Sequence, residues 1–320
     1  MASGRRIAVV IPTYNRAHVL GACLDSVLEQ TVAADEVIVV DDGSSDRTAE
    51  LLAGYGDRIR AIRQPNGGVS RARNAGIAAA TAEWVAFVDS DDLWRPTRIE
   101  VLHRDLTGAP PEIGVHVADL LLTGEDYAQS MFALHGFGHP IDRAVRLDDP
   151  MPAALAAMGM QASAARRDWL HRAGLFDPDL RSGEDTDLMC RMAVLGPWLI
   201  TGAEVAEVRR LPGDQGALVE QERRDQIRAR SDRARYLAAL RDLALTPAQD
   251  RLVGKVLNHV LLLRAEAELL DGAPWRQSVL AAARAHPSAL KGWLKAVPPL
   301  IAGRAGFRFV FGEHRGFRRS

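Results

Sequence analysis

Short apolar runs alternate with amphipathic stretches over the first hundred residues. Ile7-Ala8-Val9-Val10-Ile11 is a β-branched run of strand length, and Pro12-Thr13-Tyr14-Asn15-Arg16 follows it as a loop. Ala17 to Gln30 then carries Leu20, Leu24, Val27 and Leu28 at the spacing of one helix face. Glu36 to Val40 reads as a second strand. Asp41 to Asp46 turns from it into a helix, with Ser44 or Ser45 a suitable N-cap. Arg58 to Ile62 is a weaker third strand, Gly67-Gly68 precedes a helix from about Val69 to Ala80, and Trp84 to Val88 is a fourth strand. Strands alternating with helices of this length predict a parallel sheet covered on both faces.

The pattern is less regular afterwards. Glu112 to Leu122 reads as a strand, and Thr123 to Pro152, rich in Gly, Asp and His without a clear period, reads as loops over a site. Gln161 to Arg166 re-enters the sheet, Arg167 to Ala173 is a short helix, and Thr186 to Leu195 is a helix closed by Gly196-Pro197. Composition shifts near Pro212-Gly213. A charge-laced helix runs from Ala217 to about Leu243, Thr246-Pro247 starts one that Gly272 ends, and Pro274 opens another to about His286. The expectation is an α/β domain over residues 1–214 and an all-helical appendage over 215–320. Arginines 223, 224, 228, 230, 233 and 235 alternate with acids on that appendage, which reads as a solvated helix surface.

Composition narrows the classes. Of 320 residues, 47% are hydrophobic and 25% charged, with a formal net charge of -1, so no overall field points to nucleic acid. Cys23 and Cys190 lie inside predicted helices without a CxxC or Cys/His neighbour. They read as buried thiols rather than a zinc site or a disulfide, which suits a reducing cytoplasm. No apolar stretch reaches the ~18 residues of a membrane span, and the N-terminus does not read as a signal peptide. Residues 286–320 hold seven Lys/Arg against Glu313, interleaved with Trp293, Phe307, Phe309, Phe311 and Phe317. That tail reads in two ways: lying on an anionic membrane, or packed on its own domain with solvated charges, the second preferred. The expected location is cytoplasmic, with peripheral contact at the inner membrane face as the variant.

The candidate chemistry clusters at predicted strand ends. Asp89-Ser90-Asp91-Asp92 follows Trp84 to Val88, and three carboxylates this close repel one another unless a cation or a ring of donors shares the site. Asp41-Asp42-Gly43-Ser44 ends the second strand, where acids accept from a base N–H or a ribose hydroxyl, although the same residues make ordinary turns. Asn66 to Gly76 places Gly67-Gly68 before a helix whose Arg71 and Arg73 suit a pyrophosphate. Gly183-Glu184-Asp185-Thr186-Asp187 supplies a separate acidic group, Asp185 being suited to act as a helix cap or as a general base. Neither G-x-G-x-x-G after the first strand nor G-x-x-x-x-G-K-[ST] occurs, which removes the main support for a dinucleotide or P-loop site.

The ordered set I-P-T-Y-N-R (11–16), V-D-D-G-S (40–44), N-G-G-V-S-R-A-R-N-A-G (66–76), D-S-D-D (89–92) and G-E-D-T-D-L (183–188) resembles the family 2 glycosyltransferases of the GT-A fold over about residues 5–210. The resemblance implies a Rossmann-like mixed sheet and non-processive, inverting transfer of a sugar from a UDP- or dTDP-linked donor to an acceptor hydroxyl. By similarity, Pro12, Thr13, Tyr14 and Arg16 line the base pocket and Asp42, with Asp41, accepts from the base. Gly68, Arg71 and Arg73 lie on the base or diphosphate. Asp89, Ser90 and Asp91 match the D-x-D element, with Asp91 on the ribose or metal. Asp91 and Asp92 fall where Mn²⁺ or Mg²⁺ is held. Asp185 matches the catalytic base, and Glu184 beside it positions the acceptor, a glycan, a lipid-linked group or a small molecule.

Two departures qualify the match. Leu211 stands in Arg209-Arg210-Leu211-Pro212-Gly213-Asp214 where many members have a metal-binding His, leaving water, diphosphate or Asp214 to complete the site. Q-x-x-R-W and membrane spans, both found in processive polymer synthases, are absent from the sequence. The competing readings are a degenerate nucleotide-binding scaffold of the same fold and, less favoured, a sugar nucleotidyltransferase. The helical appendage reads as acceptor-binding, membrane-contacting or homodimer-forming.

Overall fold

The computed structural model describes residues 5–124, 127–138, 142–156, 159–209, 225–286 and 288–302. The chain divides into two compact units, one of Met1–Leu180 with Glu184–Gly213 and one of Arg181–Gly183 with Asp214–Ser320.

In the first unit, β1 (Ile7–Thr13), α1 (Ala17–Leu28), β2 (Glu36–Asp41), α2 (Thr48–Gly54), β3 (Arg60–Arg63), α3 (Val69–Ala79) and β4 (Trp84–Phe87) follow the alternation read from the apolar pattern. Then come β5 (Leu93–Trp94), α4 (Arg98–Leu106), β6 (Val115–Thr123), β7 (Ala128–Ser130), α5 (Met131–Leu134), β8 (Val145–Leu147) and α6 (Met151–Leu155). The unit ends with β9 (Ser163–Arg166), α7 (Arg167–Arg172), α8 (Glu184–Ala193) and β10 (Trp198–Arg209).

The described strands form one ten-stranded sheet in the order β3-β2-β1-β4-β9-β6-β10-β5, with β7 added to β6 and β8 to β10. β1, β2, β3 and β4 pair in parallel, whereas β9 runs antiparallel to both β4 and β6. The sheet is therefore mixed rather than parallel throughout. The chain leaves β1 toward β2 and β3 and returns to its other side as β4. This reversal makes a crevice at the carboxyl ends of the strands, where open sheets of this kind take ligands. All seven residues of β1 and all four of β4 are buried, as strands covered on both faces must be. α3 lies so close to β1 that a Cβ on Gly76 would sit 2.4 Å from a Val10 methyl.

Three local expectations change. β1 runs on to Thr13 because Pro12 and Thr13 pair with Val40 and Asp41, so the loop begins at Tyr14. α2 starts at Thr48 instead of at a Ser44 or Ser45 cap: Asp46 accepts from both the Thr48 amide and hydroxyl, and Ser44 is buried elsewhere. The stretch from Thr123 to Pro152 carries β7, α5, β8 and α6 where loops were expected. β10 went unread because bulges between Thr201 and Ala206 break its alternation.

The second unit holds α9 (Gln226–Leu240), α10 (Pro247–Leu270), α11 (Arg276–Ala285) and α12 (Ala289–Ala302), each packed on the next. α10 opens with a Thr246–Gln249 capping box and Pro247 in its first turn. Asn258, fully buried, donates to the Ala282 carbonyl at 2.6 Å and ties α10 to α11. Arg230 is half-buried and donates to the Leu263 carbonyl, so the arginine face of α9 is not wholly solvated. Residues 210–214 (Leu211 and Asp214 included), arginines 223 and 224, and the residues beyond 302 lie outside the described residues.

Candidate active site at the sheet edge

The β1 and β2 ends are locked to each other. Asn15 adopts a left-handed backbone (φ 53°); its Oδ1 accepts from the Ser45 amide at 2.8 Å and the Asp46 amide at 3.3 Å, and its own amide donates to Ser44 Oγ at 2.9 Å. Asn tolerates this conformation better than most residues. Gly43 (φ 81°) brings the turn against the next loop, where a Cβ would meet the Asn66 amide nitrogen at 2.8 Å. Pro12 and Thr13 are buried, Arg16 is half-buried, and Tyr14 projects with 48% of its surface exposed, as a stacking platform requires.

Asp42 is placed differently from its expected role. Its carboxylate is 3% exposed and accepts from Gln64 Nε2 (2.7 Å), the Gly67 amide (3.0 Å) and the Gly68 amide (2.7 Å). These bonds hold the Gly-Gly turn and occupy both carboxylate oxygens. Thr13 Oγ1, Ser70 Oγ, Arg73 Nε and Arg209 Nη2 are buried here without a hydrogen-bond partner among the described residues, and Asp41 Oδ2, also without a hydrogen bond, is ion-paired with Arg63 Nε at 3.6 Å. Asp41 accepts from the Ser44 amide through its other oxygen.

α3 presents its two arginines to different surroundings. Arg71 is exposed, whereas Arg73 is 3% exposed and donates to Asp89 Oδ1 (2.7 Å) and Glu184 Oε1 (2.8 Å). A diphosphate contact by Arg73 is thereby corrected: its fork is spent on two carboxylates, and Arg71 is the accessible cation of that helix. The Arg73 guanidinium also lies 5.2 Å from the centre of the Phe176 ring, which meets Phe87 edge-on at 5.6 Å. Asn74 holds Phe176 there by bonding both its carbonyl and its amide.

The repulsion expected among the β4-end acids is relieved by donors. Asp89 takes Gln161 Nε2 at 2.7 Å on the oxygen not used by Arg73. Asp92, 3% exposed, accepts the Arg209 amide at 3.1 Å, and Arg209 Nε donates to the Asp91 carbonyl at 2.9 Å. Ser90 is buried and Asp91 half-buried. Beneath the cluster, Cys23 Sγ approaches the Asp89 carbonyl at 3.4 Å; burial and the three acids push its thiol well above the ordinary range. Both cysteines are buried.

At the start of α8, Glu184 is buried and Asp185 half-buried. Burial, with Asp185 adding to it, pushes the Glu184 carboxyl up to about 7, against the pull of Arg73. Glu184 thus faces the interior ion bridge, which corrects its expected position on the acceptor. Asp185 Oδ1 accepts the Thr186 amide at 2.6 Å. No three His, Cys, Asp or Glu among the described residues come together as a protein-only metal site. Two carboxylates, Asp91 and Asp92, nevertheless suit a divalent ion that is also held by substrate phosphates, the usual habit of Mg²⁺.

Arg209, Gln161, Asn74 and Phe176 were not singled out by their sequence context. Asn74 and Arg209 do lie in segments whose motifs were read, Asn66 to Gly76 and Arg209 to Asp214, but no role was drawn for either. A cavity of about 580 Å³ lined by Thr97, Glu100, Val101, Arg104 and Gly202 to Glu204 shares no residue with this edge.

The mixed sheet with a nucleotide-type crevice and an acidic β4 end is the architecture of the GT-A glycosyltransferases. Residues 8–163, just under half of the chain, match the family model described as glycosyl transferase family 2. Over 105 residues it is 41% identical to the uncharacterized glycosyltransferase YibD of Escherichia coli K12, covering 32% of this chain and 30% of that one. The match thus spans about a third of that relative. The fold is similar to that of S. aureus TarS residues 1–349 in complex with UDP-GlcNAc (TM-score 0.71, 20% identity, 96% of this chain and 89% of the other). It is also similar to that of the mannosyltransferase PcManGT of Pyrobaculum calidifontis in complex with GDP-Man and Mn²⁺ (TM-score 0.56, 18% identity, 97% and 84%).

Proposed function

We propose that this protein transfers one sugar, with inversion, from a nucleotide-diphosphate sugar to an acceptor hydroxyl, the donor being UDP- or dTDP-linked. The observation that carries the reading is the half-buried Asp185 carboxylate, linked through its neighbour Glu184 and Arg73 to the β4-end acids. In this reading Tyr14 stacks on the base, and Asp41 and Thr13 supply polar atoms that meet it or the ribose. Arg71 faces the diphosphate. Asp185 accepts the acceptor hydroxyl proton as that oxygen bonds to the anomeric carbon and the bond to the diphosphate oxygen breaks on the opposite face. Asp91 and Asp92 would hold Mn²⁺ or Mg²⁺, whose chemistry is to offset charge on the leaving diphosphate. The similarity to TarS in complex with UDP-GlcNAc and to PcManGT in complex with GDP-Man and Mn²⁺ supports a nucleotide-sugar ligand and a metal.

The acceptor class is a glycan, a lipid-linked group or a small molecule, in the cytoplasm or at the inner membrane face. No helix among the described residues is long and apolar enough to cross a membrane. Calorimetry with UDP, with and without Mn²⁺, tests the nucleotide half of the reading. Mn²⁺ should strengthen UDP binding to the wild type, and Asp91→Ala should abolish that gain. Equal UDP affinity of wild type and Asp91→Ala in Mn²⁺ would sink the metal role.

A further inference from the structure

Arg73 is a buried charge that bridges two carboxylates. Its two terminal nitrogens bond carboxylates from elements far apart in sequence, Asp89 at the end of β4 and Glu184 at the start of α8. Such a span requires the planar fork of arginine, since a lysine ammonium is a single point on a flexible stem. The side chain is also over-determined: Phe176 covers its face, and Asn74, the next residue of α3, holds Phe176 through two backbone bonds. Gln161 fixes the second oxygen of Asp89.

We propose that Arg73 is a positioning residue. Through Glu184 it sets the place of the Asp185 carboxylate relative to the β4-end acids, so that donor-side and acceptor-side chemistry share one rigid bridge. The inference rests on the proposed transferase reading, in which Asp185 is the base. Arg73 touches neither donor nor acceptor in this account.

The charges facing Glu184 are Arg73 across the bridge, Asp185 beside it and, beyond Arg73, Asp89. On its own helix Asp187 is paired with Arg191, which also donates to the Leu175 carbonyl. Of the elements packed on α8, α6 contributes only Met, Pro, Ala and Leu. On α7, Asp168 is paired with Arg166, Arg172 lies over Trp169, and Arg167 and His171 complete the charged set. Arg73 is thus the cation that opposes burial and Asp185 at the Glu184 carboxyl.

Arg73→Gln, Arg73→Lys and Glu184→Gln should be compared by three readouts. The first is Mn²⁺-supported UDP affinity by calorimetry. The second is the titration of Glu184 by NMR on ¹³C-glutamate-labelled protein, assigned with Glu184→Gln. The third is UDP release from UDP-N-acetylglucosamine against pH. Arg73→Gln should leave UDP affinity within a few-fold and raise the Glu184 midpoint by about one pH unit or more. It should also lower turnover on the order of 10- to 100-fold. Arg73→Lys keeps the charge but not the span, so it should restore the midpoint and not the turnover. Glu184→Gln should remove the acid limb of the profile near neutrality.

A Glu184 midpoint unchanged in Arg73→Gln overturns the proposal, as does full turnover in Arg73→Lys. Loss of thermal stability alone, with the midpoint and the acid limb unmoved, would leave Arg73 merely structural and also overturn it. Wild-type protein that fails to bind UDP would instead overturn the transferase reading, while the NMR arm still reports on the bridge.

Discussion

Glu184 and Asp185 are adjacent acids with opposite surroundings, and their difference is measurable. Glu184 is buried and its carboxyl titrates near 7, against 4.5 for an ordinary glutamate. A group whose folded value is raised contributes stability that is fully present below the unfolded value and lost as pH rises through the folded one. The window here is therefore about pH 4.5 to 7. Glu184→Gln removes the titration, so its melting temperature relative to wild type should rise between pH 5 and pH 8.5, by the equivalent of on the order of 2 kcal/mol. A difference that stays flat with pH, measured by differential scanning calorimetry, would contradict the burial of an ionisable Glu184. Asp42 makes a related point about reading acids from motifs. Its type and position were legible, but its partners, the Gly67 and Gly68 amides, are set by a loop more than twenty residues away.

At the level of elements, the tightest fit is α3 on β1. Gly76→Ala raises helix propensity by roughly 1 kcal/mol. The added Cβ would, however, lie 2.4 Å from a Val10 methyl on a fully buried strand, and overpacking of this kind costs about 1–3 kcal/mol. Net destabilisation is expected, as a lowered midpoint in urea; an unchanged or raised midpoint would show that α3 shifts freely. β1, β2, α3 and β4 were legible because the strands are local apolar runs and the elements have their own turn chemistry, Asp41 to Ser44 and Gly67-Gly68 included. β9 and β10 were harder. The antiparallel entry of Ser163–Arg166 between β4 and β6 depends on partners more than forty residues away, and β10 bends at its bulges. The same bend delivers Arg209 to Asp91 and Asp92, which is why that contact was invisible in the motif.

For the molecule as a whole, the order of motifs along the chain carried more information than any motif alone. Tyr14, Asp41, Arg71, Asp91 and Asp185 come from a strand end, loops and helix starts around the carboxyl edge of one sheet, so a ligand there would meet an aromatic face, a cation and carboxylates. Sequence reading found these positions because the topology brings the carboxyl ends of β1, β2 and β4 side by side. It could not separate Arg71 from Arg73, because burial, rather than residue type, decides which of the two faces outward. The central claim is that Asp185 is the base of a sugar transfer whose nucleotide site is built by other residues. Asp185→Asn tests it directly when donor turnover and Mn²⁺-supported UDP affinity are measured on the same preparation. Turnover should fall by on the order of 100-fold or more, with UDP affinity within a few-fold of wild type. Wild-type turnover in Asp185→Asn would contradict the assignment.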